Sequence, residues 1–483
     1  MSKKIGGVVA LAGLCALSLF LVNCGSSSSR PTGVLYVLTQ GSNGLGNNVS
    51  TFAMDLNSGG LSLVSSNAST CPTAATASNP DPCGLPVNIV LDPKGAMAFV
   101  LDQGAPPCPT CPPGENNPTL PAIYPYTVGS DGSLSAPGTA ATWTCSGVSV
   151  SNCSDTATAM VRDAAGQFLF VIDHGSYPSP GFPAPTAASP SCPHVPTGPY
   201  DVCPSISVFA MGSGTLTLAN GSPFYLSKIP SALSAISFTP SGSTTAQELL
   251  FVTNNQDICS QNCIAPSPHN DNSVSVYSVN SSGTLTEQPN SPYAVAAVNP
   301  LSVLAVNTNP AGQNSGGVFV YVGNEDPSGG HLYPFEVCTV VGSAGCTQQQ
   351  VDQNLMFPLR TCPEISCEVP PTSAGKSPVA MVVDPTNNFL YVASEGSSQV
   401  FGFKINTTAG TLTALSPNPN LPMGSQPVSI ALHPTVNNTG QFLYTSNSGS
   451  DNISGFTLST TSGVMSSLPA VITPAAPSGM TAR

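Results

Sequence analysis

The sequence predicts an all-β fold, a seven-bladed β-propeller of four-stranded antiparallel blades whose ring is closed by the C-terminal strand. Three observations predict it: a strand-and-turn segment that recurs along the chain, a composition suited to short strands joined by turns, and an N-terminal unit whose missing first strand reappears at the C-terminus.

The recurring unit carries an aliphatic strand, an Asp-Pro-x-Gly-like turn, and a second strand ending in an aromatic residue and Val. Pro86 to Gly95 leads into Ala98-Phe99-Val100. Thr158 to Gly166 leads into Leu169-Phe170-Val171, and Ile236 to Gly242 into Leu250-Phe251-Val252. Pro300 to Gly312 leads into Val320-Tyr321-Val322, Pro378 to Pro385 into Leu390-Tyr391-Val392, and Pro427 to Pro434 into Leu443-Tyr444-Thr445. A third strand follows each time, such as Val274–Tyr277, then a Gly-containing turn and a fourth strand, such as Thr284–Thr286. Units of four short strands rich in β-branched and aromatic residues are propeller blades. The first strand of each unit is apolar almost throughout, as suits a strand covered on both faces.

The N-terminal unit opens at the turn, Arg30-Pro31-Thr32-Gly33, and lacks its first strand. The chain ends Pro477-Ser478-Gly479-Met480-Thr481-Ala482-Arg483, which matches that strand and stops before the turn. Joining the two completes a seventh blade and leaves no open sheet edge.

Composition agrees. Of 483 residues only 7% are charged, while Gly (45) and Pro (49) supply turns. The formal charge is −13. No basic run exists, so a nucleic-acid partner is disfavoured.

Residues 1–23 carry Lys3 and Lys4 before an apolar stretch, Ile5 to Val22, which is a secretory signal pattern. Leu21-Val22-Asn23-Cys24-Gly25 resembles the lipobox of bacterial lipoproteins, with Asn23 where that family prefers Gly, Ala or Ser. The resemblance implies lipidation at Cys24, and residues 24–30 then read as a lipidated Cys and a flexible tether ahead of the propeller at 31–483. The expected location is the bacterial cell envelope, by an anchor in the outer membrane. An uncleaved membrane helix is the alternative.

The chain has 16 Cys. Besides Cys15 and Cys24 they fall as near neighbours: Cys71 with Cys83, Cys108 with Cys111, Cys145 with Cys153, Cys192 with Cys203, Cys259 with Cys263, Cys338 with Cys346, and Cys362 with Cys367. An even number in an exported chain implies disulfides, and the short spacings favour local pairing. Cys108-Pro-Thr-Cys111 also has the spacing of a redox motif or metal half-site. It sits in a Pro-rich loop with no second pair at zinc-finger spacing, so structural disulfides are the expectation.

The Tyr36-Val37, Tyr321-Val322 and Tyr391-Val392 strand ends, with the Asp-Pro-x-Gly turns, resemble the seven-bladed lactonase-type propeller family. That family includes 6-phosphogluconolactonase-like enzymes and surface or periplasmic proteins with Tyr-Val-Thr-Asn repeats. The resemblance covers residues 31–483. Its motifs build blades, so the activity needs a site of its own.

With strands lettered A to D from the axis outward, B–C loops and D–A crossovers share one face. Six of the seven Cys pairs and the insertions 103–122, 174–204 and 255–272 lie on it. Function is expected there, on loops held by a rigid scaffold. At the ends of the B strands stand Thr39, Asp102, Asp173, Asn254, Asn324, Ser394 and Asn447, then Gln40, Gln103, His174, Asn255, Glu325, Glu395 and Ser448. Two readings stay open for the first set: a ligand-binding ring at the channel mouth (Asp102, Asp173, Asn254, Asn324, Asn447), or Asx-type caps of strand ends.

For catalysis, His174 with Glu325 or Glu395 is a candidate general base for water attack on a lactone, and Arg162 or Arg360 a candidate oxyanion partner. The mature chain's few cations favour a neutral lactone over a phosphorylated one. Asp102, Asp173, Glu325, Asp326 and Glu395 supply oxygen ligands for Ca²⁺, but no Asp-x-Asp-x-Asp-Gly loop is present, so no metal and no cofactor are expected. The first functional reading is a lipid-anchored binding module for a protein, glycan or other envelope component. The alternative is a lactonase-like hydrolase. A monomer is expected.

Overall fold

A computed structural model describes residues 32–483 apart from 41–47, 70–84, 105–120, 143–156, 175–203, 213, 241–242, 258–271, 297–298, 309–316, 327–328, 343–345, 361–367, 418–419 and 434–440. Seven antiparallel sheets follow one another around a ring.

In blade 1, strand A is Ala476–Ala482, B Thr32–Gln40, C Asn48–Asp55 and D Leu61–Ser69. Blade 2 runs Pro86–Leu91, Met97–Asp102, Ala122–Thr127 and Ala141–Thr142. Blade 3 runs Ala157–Arg162, Phe168–Asp173, Ser205–Met211 and Leu216–Leu218; blade 4 runs Lys228–Phe238, Gln247–Asp257, Ser273–Val279 and Leu285–Glu287. Blade 5 has Pro300–Asn307, Val318–Asp326, Gly329–Val337 and Met356–Pro358; blade 6 has Pro378–Val383, Phe389–Ser394, Gln399–Ile405 and Leu412–Ala414. Blade 7 has Pro427–His433, Gln441–Asn447, Asn452–Leu458 and Met465–Ser467. In blades 3 to 7 the outermost position continues in a second short segment on strand C, such as Val471–Ile472 in blade 7.

The Asp of the A–B turn explains why that turn recurs. Asp92 accepts from the Met97 amide at 2.7 Å. Asp163 accepts from Gln167 and Phe168 at 2.7 and 2.8 Å, and Asp384 from Asn388 and Phe389 at 2.8 and 2.7 Å. A carboxylate that satisfies the loose amides of a tight turn fixes the register of the strand that follows.

Every A–B pair slips register near the top of strand A, with one extra residue there. In most blades the slip follows a Pro, which has no N–H to give the ladder, and a bulge absorbs it. The bulged Ser231 and Ser478 donate to the next blade's strand-A proline carbonyl, Pro300 O at 2.7 Å and Pro86 O at 2.6 Å.

Among the described residues there is no central core. Seven separate apolar layers each lie between two adjacent blades. The layer at the ring seam joins Leu35, Val37, Phe52 and Met54 of blade 1 to Phe442, Tyr444 and Ile453 of blade 7, with Met480 from the C-terminal strand. A ring is therefore the only arrangement in which every sheet has both faces covered.

The seam closes as the sequence predicts. Strand Ala476–Ala482 pairs antiparallel with Thr32–Gln40, setting Tyr36 opposite Thr481 and Val37 opposite Met480. Beyond it, Val34 and Arg483 exchange both backbone hydrogen bonds, at 3.0 and 2.8 Å.

Cys338 and Cys346 form a disulfide across the C–D connection of blade 5, with Cα atoms 5.9 Å apart. The same connection holds a helix unforeseen in the sequence, Gln348–Asp352, started by a Thr347–Gln350 capping box. The other six expected pairs, Cys24 and the signal segment lie outside the described residues.

Candidate functional site

The two polar sets at the ends of the B strands separate cleanly by burial. Thr39, Asp102, Asp173, Asn254, Asn324, Ser394 and Asn447 are each at most 2% exposed. They are covered by the surrounding chain. Asn254 donates to Ser273 and Ser275 on strand C at 3.2 and 3.0 Å, and Asn447 to Asn452 and Ser454 at 2.7 and 3.0 Å. Asp102 accepts from the Gly104 amide at 2.9 Å. Burial comes first and the Asp102 charge second in pushing the Tyr124 phenol up to about 12. The Asp102 contact is of the Asx type, whereas those of Asn254 and Asn447 reach side chains at the start of strand C.

The next set, Gln40, Gln103, His174, Asn255, Glu325, Glu395 and Ser448, is half-buried all round the ring. Each sits at the top of strand B, beside the start of strand A, which is the innermost strand. In several blades its amide binds the carbonyl just ahead of strand A: Gln103 N to Leu85 O at 3.0 Å, Glu325 N to Asn299 O at 3.2 Å, Glu395 N to Ser377 O at 2.8 Å and Ser448 N to Gln426 O at 2.9 Å. Asn299, Ser377 and Gln426 hold left-handed backbones, φ 60°, 52° and 52°. Non-Gly residues in that region cost free energy and are retained where the surroundings over-determine them, often at functional sites.

Between blades 5 and 6 this rim becomes a cluster. Glu325 lies opposite Gly330 in the B–C pairing. A Cβ on Gly330 would stand 2.0 Å from the Gly375 carbonyl oxygen, so only glycine lets the crossover to blade 6 pass this close. Ala374 N donates to Gly330 O at 3.0 Å and fixes the approach. The crossover then delivers Ser377, whose hydroxyl donates to the Glu325 carboxylate at 2.9 Å while its carbonyl holds the Glu395 amide. Lys376 precedes it, its amide bonded to Ser397 Oγ at 2.7 Å, and adds an exposed cation to the rim.

Ser377 thus links the Glu325 carboxylate to the backbone of Glu395. His174 stands on blade 3, two blades from Glu325. Arg162 is at the far end of its blade: it pairs with Leu169, whereas Ala157 pairs with Asp173 beside His174. Its guanidinium donates to the Asp163 and Ala164 carbonyls in the A–B turn, at 2.9 and 3.4 Å. Arg162 therefore cannot serve an oxyanion on the His174 face, because the length of strand B separates them. Arg360 is on the correct face but engaged, 3.6 Å from Glu368 and 5.7 Å from the Phe357 ring centre. Ser377 and Lys376 escaped the sequence reading. A residue before proline normally reads as extended, which hides a left-handed turn. Among the described residues no cluster of three His, Cys, Asp or Glu side chains could hold a metal ion.

The family model for "Lactonase, 7-bladed beta-propeller" matches residues 359–477. These span the crossover that carries Lys376 and Ser377, then blades 6 and 7. No curated protein matches the sequence. Among solved structures, the chain is similar to the periplasmic gluconolactonase of Pseudomonas aeruginosa, with 15% identity, a TM-score of 0.57, and 94% of this chain and 99% of that one covered. It is likewise similar to a 6-phosphogluconolactonase candidate from Bacteroides fragilis, with 14% identity, a TM-score of 0.55, and 95% and 99% covered. A second such candidate, from Bacteroides uniformis, has 12% identity, a TM-score of 0.55, and 94% and 99% covered. Identities this low carry the fold and leave the chemistry to the site. The chain is a seven-bladed β-propeller that is similar to the lactonase family over residues 359–477.

Proposed function

We propose that the protein is an exported hydrolase, tethered to the cell envelope by a lipid on Cys24, that opens a neutral lactone at the channel mouth between blades 5 and 6. The observation that carries this is the Ser377 contact with both the Glu325 carboxylate and the Glu395 backbone amide, with Lys376 alongside; Lys376, Ser377 and Glu395 fall in the stretch that matches the lactonase family, and Glu325 lies ahead of it.

The chemistry asks for little. A carboxylate on the rim takes a proton from water, and the resulting hydroxide attacks the lactone carbonyl. A nearby cation steadies the oxyanion, and Lys376, next to Ser377 in the chain, is placed to do so. The ring C–O bond breaks and the alkoxide takes back the proton, leaving a hydroxy acid. Ser377 holds Glu325 in position. A phosphorylated lactone would call for several cations around its phosphate, and the whole chain has 10 Lys and Arg. A neutral sugar lactone fits better. The binding-module reading has no structural observation of its own in its favour.

Acid release from a panel of neutral aldonolactones, followed at constant pH, tests the proposal. Activity in the purified protein that is lost in both Glu325→Gln and Glu395→Gln supports it. Equal rates in wild type and both variants would sink it.

A further inference from the structure

Away from the channel, a groove of about 390 Å³ opens on the outer wall of the ring where blade 7 meets blade 1. Gly59, Leu61, Tyr444, Ile453, Leu468 and Val471 line it, and no lining residue is charged. Two of its polar contacts are internal: Tyr444 donates to the Gly59 carbonyl at 2.8 Å, and Ser58 Oγ accepts from the Gly60 amide at 3.2 Å. The lining is mostly apolar, and the volume lies within the ~300–1,000 Å³ usual for small-molecule sites.

The surroundings are apolar too. Leu63 (54% exposed) and Val64 (54%) continue blade 1's outermost strand from Leu61, and Ile472 (82%) follows Val471 on blade 7. Large apolar side chains exposed together mark a contact with a partner or a membrane. The start of the described chain says which. Thr32 pairs with Asp55, and Asp55 closes the turn that carries Gly59 and Gly60 into the groove. Cys24 lies eight residues before Thr32. Eight residues reach at most roughly 28 Å, so a lipid on Cys24 would hold this wall close to the bilayer.

We infer that the groove is a membrane contact that takes a lipid acyl chain, with Leu63, Val64 and Ile472 entering the apolar boundary beside it. This rests on the lipid tether proposed above. It turns the seam wall of the ring toward the bilayer.

Two measurements test it separately from the tether. First, the full chain is reconstituted in phosphatidylethanolamine vesicles doped with a photoactivatable diazirine-palmitoyl lipid, irradiated and digested. Labelling should concentrate in Asp55–Val64 and Leu468–Ile472 and be lost in Val471→Trp, which fills the groove from its rim. Labelling elsewhere, or labelling unchanged in a Val471→Trp protein with wild-type melting, overturns the inference. Second, full-length Cys24→Ala is titrated with cis-parinaric acid. Saturable fluorescence that Val471→Trp abolishes supports the groove even if vesicle flotation shows that Cys24 tethers nothing. Absence of saturable binding overturns the groove and leaves the tether untouched.

Discussion

The Tyr444 hydroxyl in blade 7 donates to the Gly59 carbonyl in blade 1 at 2.8 Å, across 385 residues of chain. The same bond recurs wherever strand B carries Tyr at this position. Tyr36 reaches Gly132 at 2.7 Å, Tyr321 reaches Gly410 at 2.8 Å, and Tyr391 reaches Gly463 at 2.8 Å. Each joins one blade to the C–D turn of the next, so blades 5, 6, 7, 1 and 2 are latched in series through the seam. Blades 2, 3 and 4 carry Phe99, Phe170 and Phe251 instead, which pack against the next blade without this bond. Tyr444→Phe keeps the ring and leaves a buried carbonyl without its donor. It should cost about 1–2 kcal/mol in denaturant unfolding. No change in the unfolding midpoint would mean that water replaces the bond.

Deleting residues 477–483 should weaken the fold far more. It removes strand A of blade 1, exposes the edge of Thr32–Gln40, and takes Met480 from the seam layer. Calorimetry should show a melting temperature lower by about five degrees or more, or aggregation, as expected for loss of several kcal/mol from a propeller of this size and a newly open edge. An unchanged melt would mean that the pairing does not close the ring.

Glu248 should make stability depend on pH. Burial first, and the neighbouring Asp163 second, raise its carboxyl from 4.5 to about 7. One of its oxygens, Oε1, is buried without a hydrogen bond. Above pH 4.5 the unfolded chain gives up this proton while the folded one keeps it. Stability therefore falls between about 4.5 and 7 and stays lower above that. Glu248→Gln should gain about 1–2 kcal/mol at pH 8, discounted for partial solvent access, and little at pH 4. Urea unfolding at both pH values decides it, and an equal effect at each would refute the assignment.

Gly410 and Gly342 offer a steric comparison, since both occupy the C–D turn with positive φ, +67° and +86°. A Cβ on Gly410 would stand 2.3 Å from Phe319 in blade 5, whereas one on Gly342 meets nothing within 4 Å. Gly410→Ala should lose about 2–4 kcal/mol by pushing blades 5 and 6 apart, and Gly342→Ala about 1 kcal/mol from backbone strain alone. Similar losses in thermal melts would show that the inter-blade contact yields.

By itself the sequence determined the blades. The Asp-centred turn, the apolar strand A and the aromatic of strand B are local needs of a sheet covered on both faces, so they repeat in the chain and can be read from it. The seam was equally legible, because the C-terminal segment completes the first repeat. Only the tertiary structure decided which polar residues face the mouth. Residues 102 and 103, or 324 and 325, differ by one place in the chain, yet one turns into its blade and the next toward the rim, through a bulge and a neighbour's crossover. Only the ring, too, brought Ser377 of blade 6 to Glu325 of blade 5 and separated Arg162 from His174. Those contacts depend on the rotation between blades and the length of strand B, and neither leaves a mark at fixed spacing in the chain.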